Sequence, residues 1–174
     1  MIKPTAPSVG PAQAEKDNHI NTVLYFSIND LVYETRAYTN ADIAELVDAY
    51  GLECLTSTDR QFDFWFTPST GRCRRKVNRC ATEMLSATTR FTAKTVPLLR
   101  GAVVVATHDS AGELDGLSWQ QLQRLVQSSL TLTRRDDRML SRRIKRDDRR
   151  QQRNLVAEGA AAPVRAGQQH AVRH

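Results

Sequence analysis

The sequence contains few aromatic residues and no long apolar run. Eleven of its 174 residues are Phe, Trp or Tyr, so we expect a modest core built mostly from Val, Leu, Ile and Ala. The longest fully apolar stretch, Ala102–Ala106, is far too short to cross a bilayer. Residues Met1–Glu15 lack the apolar run of a secretory signal peptide. We therefore expect no membrane partner and a cytoplasmic location.

Cysteine is also scarce. The three residues Cys54, Cys73 and Cys80 form an odd and unevenly spaced set, which does not suit a disulfide framework. Cys73 and Cys80 have neither the close spacing nor the neighbouring histidines of a zinc site. No phosphate-binding glycine loop or activated serine motif is present either. We expect free thiols, no metal and no cofactor.

The length of the chain suits one domain with a sizeable core. Residues 1–20 hold three prolines among small and polar residues, and this composition predicts a disordered leader. Residues 159–174 alternate Ala, Gly, Gln and Arg without an apolar period, which predicts a disordered tail. Between these termini we expect an α+β domain over residues 21–130 and a basic helical extension over residues 131–158.

Alternation of apolar residues and the positions of turn residues predict an α+β fold with a small mixed sheet and the order ββαββαβα. Thr22–Ile28 and Leu31–Arg36 are β-rich runs around Asn29 and Asp30, two residues that tolerate the positive φ of a hairpin turn. The other predicted elements are a helix from Thr39 or Asn40 to Gly51, strands Leu52–Thr56 and Phe62–Phe66, a helix capped by Asn78 that runs to about Thr89, a strand Ala102–Thr107 and a helix that opens at Ser118.

Three of these elements also carry a pattern that predicts burial. Phe62, Phe64 and Phe66 share one strand face and should pack on the core. The strand Ala102–Thr107 is apolar on both faces, which favours a central position in the sheet. The last helix of the domain has the capping-box spacing of Ser118 and Gln121. Its predicted inward residues are Trp119, Leu122, Leu125 and Val126.

Short motifs in the middle of the chain resemble a known family. The helix start Asn78-Arg79-Cys80-Ala81-Thr82 is followed by a valine strand led by Gly101, an Asp109–Glu113 turn and Leu117. In this order, residues 20–128 resemble the domain of unknown function 3846 family of phages and plasmids, in which an Asn-x-x-Ala-Thr helix start precedes a glycine, a hydrophobic strand and an Asp-Gly turn. The resemblance implies a small protein of a mobile element or of its actinobacterial host. It implies no reaction, because the family has none assigned.

The positive charge of the chain is concentrated in one segment, Arg134–Arg153. This segment holds ten Lys and Arg against four Asp, and its net charge of +6 equals that of the whole chain. Such local charge density is typical of a surface that binds the phosphates of nucleic acid. The residues that we predict to contact phosphate here are Arg134, Arg135, Arg138, Arg142, Arg143, Lys145, Arg146, Arg149, Arg150 and Arg153.

Within this segment Arg135-Asp136-Asp137-Arg138 recurs as Arg146-Asp147-Asp148-Arg149. The shift of eleven residues is three helical turns, so both copies should face the same way. Leu140, Ile144 and Leu155 are the main apolar residues, and this stripe is too thin to predict packing of the helix against a core. The alternative interpretation is a solvated, salt-bridged or self-pairing helix.

A second basic cluster precedes the helix capped by Asn78, where backbone N–H groups of the helix start can add to an anion site. Its residues are Arg72, Arg74, Arg75, Lys76 and Arg79. No helix-turn-helix, zinc-finger or RNP-type pattern accompanies the two clusters, and aromatic residues are not interleaved with them. We therefore expect electrostatic contacts to a DNA or RNA backbone without base readout or base stacking.

Candidate catalytic residues are few. His108 and Asp109 follow a predicted strand, but a single histidine beside a turn is more often solvated or capping. The stretch Asp109–Asp115 lacks the alternating carboxylates of a calcium loop. We expect no catalytic residue and no enzymatic activity, although an enzyme that uses His108 would require a defined pocket around it.

The sequence thus predicts an accessory protein that binds nucleic acid non-specifically through Arg134–Arg153. The alternative hypothesis is a non-enzymatic interaction module, in which the arginine helix binds an acidic protein partner or pairs with its own copy through Leu140, Ile144 and Leu155. The sequence does not indicate an oligomeric state.

Overall fold

A computed structural model describes residues 21–48, 51–68 and 75–160. The predicted leader lies outside the described residues, and so does the predicted tail apart from residues 159 and 160, which belong to the last helix. The elements are β1 (Thr22–Phe26), β2 (Val32–Arg36), α1 (Asn40–Leu46), β3 (Glu53–Thr56), β4 (Asp63–Phe66), α2 (Arg79–Thr88), β5 (Val103–His108), β6 (Leu114–Asp115), α3 (Trp119–Ser129) and α4 (Arg134–Ala160).

The strands form one sheet in the order β2-β1-β5-β4-β3, and the short β6 pairs with the end of β5. The α+β class is confirmed, as is the central position of the valine strand. Every pairing among the described strands is antiparallel, whereas the sequence predicted a mixed sheet. The reason is that β5 enters between β1 and β4 and runs opposite to both. Asp30 has the predicted left-handed conformation in the β1–β2 turn, with φ of 60°.

Asn78 joins three elements. Its side-chain oxygen accepts a hydrogen bond from the Ala81 N–H at 3.0 Å and so caps α2, as predicted. Its side-chain nitrogen donates to the carbonyls of Phe26 at 3.1 Å and Gly101 at 3.0 Å. The start of α2 is therefore fixed to the end of β1 and to the residue that leads into β5.

The larger core lies on the sheet face that carries Phe64 and Phe66. Phe62, at the entrance to β4, and the strand residues Val103 and Val105 belong to the same cluster. Helices α2 and α3 cover this face with Leu85 and Leu125, both fully buried, and α4 adds Leu140. The predicted phenylalanine face is thus confirmed.

The opposite face of the sheet has a smaller core around Val23 and Val104. Helix α1 covers it with the buried residues Ile43 and Val47. Helix α1 is only seven residues long, and its first residue, Asn40, lines a polar pocket on this face together with Asp63 and His108.

The prediction for the inward side of α3 is only half correct. Leu122 and Leu125 are buried, but Trp119 and Val126 are exposed at 58% and 60%. The Ser118–Gln121 capping box is present and fixes the start of the helix. At about 100° per residue, Trp119 and Val126 lie on the flank of Leu122 that faces away from Leu125. The position of Leu125 decides which flank packs on the sheet.

Candidate nucleic-acid interface

Helix α4 begins with its own capping box, which the sequence analysis missed. The Thr133 hydroxyl donates to Asp136 Oδ2 at 2.6 Å, and the Asp136 N–H donates to Thr133 Oγ1 at 3.2 Å. The Thr133 hydroxyl, and then the Thr133 N–H at 3.2 Å, donate to the Asp136 carboxylate and hold its pKa below the usual value. One of the four carboxylates in the basic segment is therefore committed to the helix N-terminus.

The first half of α4 packs on the domain. Leu140 is 2% exposed and belongs to the larger core, and Ile144 packs against the same cluster. The expectation that the apolar stripe is too thin to hold the helix is wrong. A leucine and an isoleucine one turn apart suffice because polar contacts on both sides of them add to the apolar burial.

Two arginines of the domain supply these polar contacts by pairing with carboxylates of α4. Arg79 pairs with Asp137, and Arg100 pairs with Asp147. The guanidinium of Arg100 is buried and also donates to the Arg75 carbonyl at 2.8 Å. Hydrogen bonding to Glu83, together with the charges of Glu83 and Asp137, raises the pKa of Arg79. The helix is thus tied to the domain at two points, ten residues apart along its length.

Arg143 also faces the domain rather than solvent. Its guanidinium donates to the Ala93 carbonyl at 2.8 Å and to the Val96 carbonyl at 2.9 Å. Partial burial lowers the pKa of this guanidinium from its usual value. Of the ten predicted phosphate-binding residues of this helix, Arg143 is therefore the one that donates hydrogen bonds to the rest of the domain.

The remaining basic residues of the segment are exposed on the outward side of α4. In the described part of the chain none of them forms an ion pair with a carboxylate. Asp136, Asp137 and Asp147 are engaged as described above, so only Asp148 is left to offset them. The exposed residues are Arg134, Arg135, Arg138, Arg142, Lys145, Arg146, Arg149, Arg150 and Arg153.

Five of these residues line a shallow groove of about 330 Å³ on the surface of the helix: Arg142, Lys145, Arg146, Arg149 and Arg153. We call it the arginine groove. Its four arginines have the spacing i, i+4, i+7 and i+11, which forms a straight stripe about 16 Å long. Like charges one turn apart each cost roughly 0.2–0.5 kcal/mol in an isolated helix. A bound polyanion would relieve this repulsion.

The two copies of the eleven-residue repeat face the same way on α4. Asp136 and Asp147 are both half-buried, and the arginines that flank the two copies are exposed. The repeat therefore places a carboxylate toward the domain and arginines toward solvent in each copy.

The three described residues of the second basic cluster, Arg75, Lys76 and Arg79, contact other residues of the domain. Arg72 and Arg74 lie outside the described residues. Arg75 donates to the Val47 carbonyl at 2.9 Å and packs so closely on Gly101 that a Cβ there would lie 2.7 Å from Arg75 Cδ. Lys76 lies 3.7 Å from Asp30, and Arg79 has the carboxylate partners described above.

The N–H groups of the predicted anion site at the start of α2 already bind side chains of the protein itself. The Arg79 N–H donates to Asp30 Oδ1 at 2.8 Å, and the Ala81 N–H donates to Asn78 Oδ1. Asp30 reaches α2 from the β1–β2 turn, a contact between residues that are far apart in the sequence. Its carboxylate takes the place that a phosphate would need.

His108 is not the solitary histidine that the sequence suggested. Its Nδ1 lies 2.5 Å from Asp63 Oδ2. Asp109 instead closes its own turn, because its Oδ1 accepts the N–H groups of Ala111 at 2.8 Å and Glu113 at 3.0 Å. The Asp63 partner was missed because it lies on another strand, 45 residues away.

Comparison with family models, with curated proteins and with solved structures gives no match. No helix in the described part of the chain is long and apolar enough to cross a membrane. Among the described residues no three His, Cys, Asp or Glu side chains lie close enough together to hold a metal ion.

Proposed function

We propose that this protein binds the backbone of duplex nucleic acid non-specifically through the outward face of α4, as a non-enzymatic accessory protein. The observation that supports the proposal is the separation of charge on this helix. Three of the four carboxylates in Arg134–Arg153 are engaged in the cap and with Arg79 and Arg100, whereas the exposed arginines have no carboxylate partner among the described residues. A surface of this kind attracts phosphate, because only Asp148 offsets its positive charge.

The composition of the helix favours a duplex over a single strand. Arg134–Ala160 contains no aromatic residue, so it has no ring on which an unpaired base can stack. Residues 152–157 are exposed on every side of the helix, and this projecting end can lie along a duplex without contact with the rest of the domain. Arginines that contact only phosphates position a protein on the backbone and carry no sequence information.

The test is a salt titration of binding to a short random-sequence duplex. If the arginine groove supplies about five phosphate contacts, log K should fall against log salt with a slope of about −4.5 for DNA. The variant R142Q/R146Q/R149Q/R153Q should reduce the magnitude of that slope by about 3.6. Its stability should be retained, because Gln and Arg have similar helix propensities and like-charge pairs are removed.

The matched control removes the same charge elsewhere. Arg36, Arg60, Arg90 and Lys94 are exposed basic residues of the domain outside α4, and R36Q/R60Q/R90Q/K94Q should keep most of the slope. Equal losses in the two quadruple variants would show that net charge, and not the arginine groove, drives binding. Absence of any retardation at low salt would end the proposal.

A second candidate is an interaction module for an acidic protein. Leu140 and Ile144 belong to the core of the domain itself, which argues against a self-pairing seam made of Leu140, Ile144 and Leu155. The projecting end exposes Leu155 at 38% and Val156 at 69%, and a protein partner can use these apolar groups whereas a phosphate backbone cannot. Competition between duplex DNA and polyglutamate discriminates the two, because stronger binding of polyglutamate would favour the acidic protein.

The resemblance to the phage and plasmid family stays a prediction. On that basis we propose a role in a mobile element or its actinobacterial host. Co-occurrence of the coding region with replication or integration genes would test it.

A further inference from the structure

Strand β2 forms one edge of the sheet. Among the described strands only β1 pairs with it, so its other side is open in the part of the chain that the structure describes. Four of its five residues are exposed. The hairpin around it also presents a cluster of apolar side chains that are each between 47% and 60% exposed, namely Ile28, Leu31, Val32, Tyr33 and Tyr38. An open edge strand with exposed apolar side chains is a template for pairing with another chain.

The hydrogen bonds of the hairpin show which backbone groups of β2 point outward. Just after the strand, the Ala37 N–H donates to the Asn21 carbonyl at 3.0 Å. Bonded and non-bonded pairs alternate along an antiparallel ladder, so every second residue of β2 counted back from Ala37 bonds to β1. The N–H and C=O groups of the other residues point away from β1, and no hydrogen bond from a described residue reaches them. These residues are Val32, Glu34 and Arg36.

The charged side chains of β2 determine how two copies of the strand can pair. Glu34 and Arg36 are exposed on the same face of the strand, and neither forms an ion pair with a described residue. Antiparallel pairing centred on Thr35 places Glu34 of each copy opposite Arg36 of the other. Opposite charges at directly paired positions stabilise a ladder, and like charges destabilise it. A register centred on Glu34 would instead place two carboxylates opposite each other.

The register centred on Thr35 also suits the backbone and the apolar side chains. Glu34 and Arg36 both point their backbone groups outward, so each such pair can exchange both of its N–H···O bonds. At the next outward pair, Val32 of one copy lies opposite Tyr38 of the other. These two residues are 47% and 60% exposed in the single chain, so pairing covers apolar surface as well as satisfying polar groups.

We propose that β2 is the interface for a second copy of this chain, through antiparallel pairing centred on Thr35. The sheet of one copy then continues into the sheet of the other. Because directly opposite residues of antiparallel strands project to the same face, α4 lies on the same side of the joined sheet in both copies. A nucleic-acid duplex can then contact both arginine grooves. That consequence rests on the proposed function, whereas the pairing itself does not.

The contact is small, because it joins one five-residue strand from each copy. Interfaces at the low end of the size range are weak and transient, so the Kd of the dimer should be on the order of 100 µM. At about 1 µM, a concentration suited to the salt titration, the chain is then monomeric. The tests of pairing use the protein without nucleic acid, so failure of pairing and failure of nucleic-acid binding are distinguishable.

The first measurement is sedimentation equilibrium of the full chain from about 10 µM to about 1 mM. The parent protein should change from monomer to dimer over this range. Glu34→Arg places a positive charge opposite Arg36 and should raise the Kd about tenfold, since both charge pairs change from attraction to repulsion. The double variant E34R/R36E exchanges the two charges and should restore the Kd of the parent protein.

The matched control is Glu53→Arg on β3, the other edge strand, where Glu53 is also exposed. It makes the same charge change and should leave the Kd unaltered. A monomer at every concentration would overturn the proposal, and so would equal weakening by Glu34→Arg and Glu53→Arg. Failure of E34R/R36E to associate, with an NMR spectrum of a folded protein, would also overturn it, because a register centred on residue 34 keeps like charges opposite in this variant.

The second measurement needs no variant and identifies the backbone groups of the interface. Amide exchange of the parent protein, followed by NMR, should slow about fivefold for Glu34 and Arg36 at about ten times the Kd, where most chains are dimeric. The amides of Tyr33 and Thr35 bond to β1 within one copy and are the internal control, with exchange that does not depend on concentration.

Two results of the exchange measurement contradict the proposal. Fast exchange of the Glu34 and Arg36 amides at the highest concentration means that the edge stays open. Slow exchange of both amides even in dilute protein means that a segment of the same chain covers the edge. In either case the second copy is not the partner of β2.

Discussion

The inward and outward faces of α4 are built from the same residue types but behave differently. On the inward face Arg143 donates to two backbone carbonyls, and Asp147 pairs with a buried arginine of the domain. On the outward face Arg142 and Arg146 are exposed without a carboxylate partner among the described residues. The comparison teaches that the function of a charged residue in this helix depends on its angular position and not on its type.

The difference also explains how a helix with so much positive charge remains folded. Arginines of the domain satisfy the carboxylates of the helix, and one leucine closes the core beneath it. The repulsion among the outward arginines is then tolerated, because the inward face supplies the stability. Three pairs of substitutions test this division, in decreasing order of expected effect.

The largest effect is expected from Leu140→Ala on the inward face. The side chain is 2% exposed in the larger core, so its truncation should lower the free energy of unfolding by about 2–5 kcal/mol. Denaturant titration measures this change. Val156→Ala on the projecting end, where the residue is 69% exposed, is the control and should change stability by less than about 0.5 kcal/mol. Equal effects of the two substitutions would mean that α4 is not packed on the domain.

Neighbouring arginines offer the sharpest comparison. Arg143→Gln removes donors to the Ala93 and Val96 carbonyls and should lower the free energy of unfolding by about 1–2 kcal/mol, with little change in the salt dependence of DNA binding. Arg142→Gln should do the reverse: stability unchanged, and a binding slope reduced in magnitude by about 0.9. The two variants carry the same charge change, so identical behaviour would refute the distinction between the faces.

The smallest effect concerns the helix N-terminus. Thr133→Ala removes the capping hydroxyl that Asp136 uses and should cost about 1 kcal/mol at neutral pH. The pKa of Asp136 is lowered in the folded protein by Thr133. Its contribution is therefore fully present above the unfolded pKa of about 3.9 and is lost as the pH falls through the lower folded pKa.

The free energy of unfolding, measured as the pH is lowered, tests whether stability is lost in this direction. The parent protein should lose more stability than Thr133→Ala between weakly acidic and strongly acidic pH. Asp148→Asn removes an exposed carboxylate that makes no hydrogen bond in the described part of the chain and is the control for the loss of one negative charge. If the free energy of unfolding of Thr133→Ala falls with acid as steeply as that of the parent protein, the cap does not depend on Asp136.

Local signals in the sequence predicted most of the fold. The conformation of Asp30, the caps at Asn78 and Ser118 and the phenylalanine alternation of β4 all depend on residues a few positions apart. Each is a short-range preference of the backbone or of one strand face, and tertiary contacts did not override it.

The candidate site was harder to predict, because its contacts join distant parts of the chain. Nothing near Leu140 in the sequence shows that arginines of the domain will pair with a carboxylate of the helix on each side of it. Asp30 and Arg79 are 49 residues apart, and Asp63 and His108 are 45 apart. Such pairs become visible only when the order of the strands is known.

The late position of Leu140 in the chain has a consequence for biosynthesis. A ribosome releases β1 to α3 first, and until residues 140 to 144 emerge the larger core lacks the part that Leu140 and Ile144 supply in the complete domain. Nascent chains that stall before this point would present that apolar surface to chaperones or to one another. The arginine-rich helix therefore serves as the final cover of the core during synthesis.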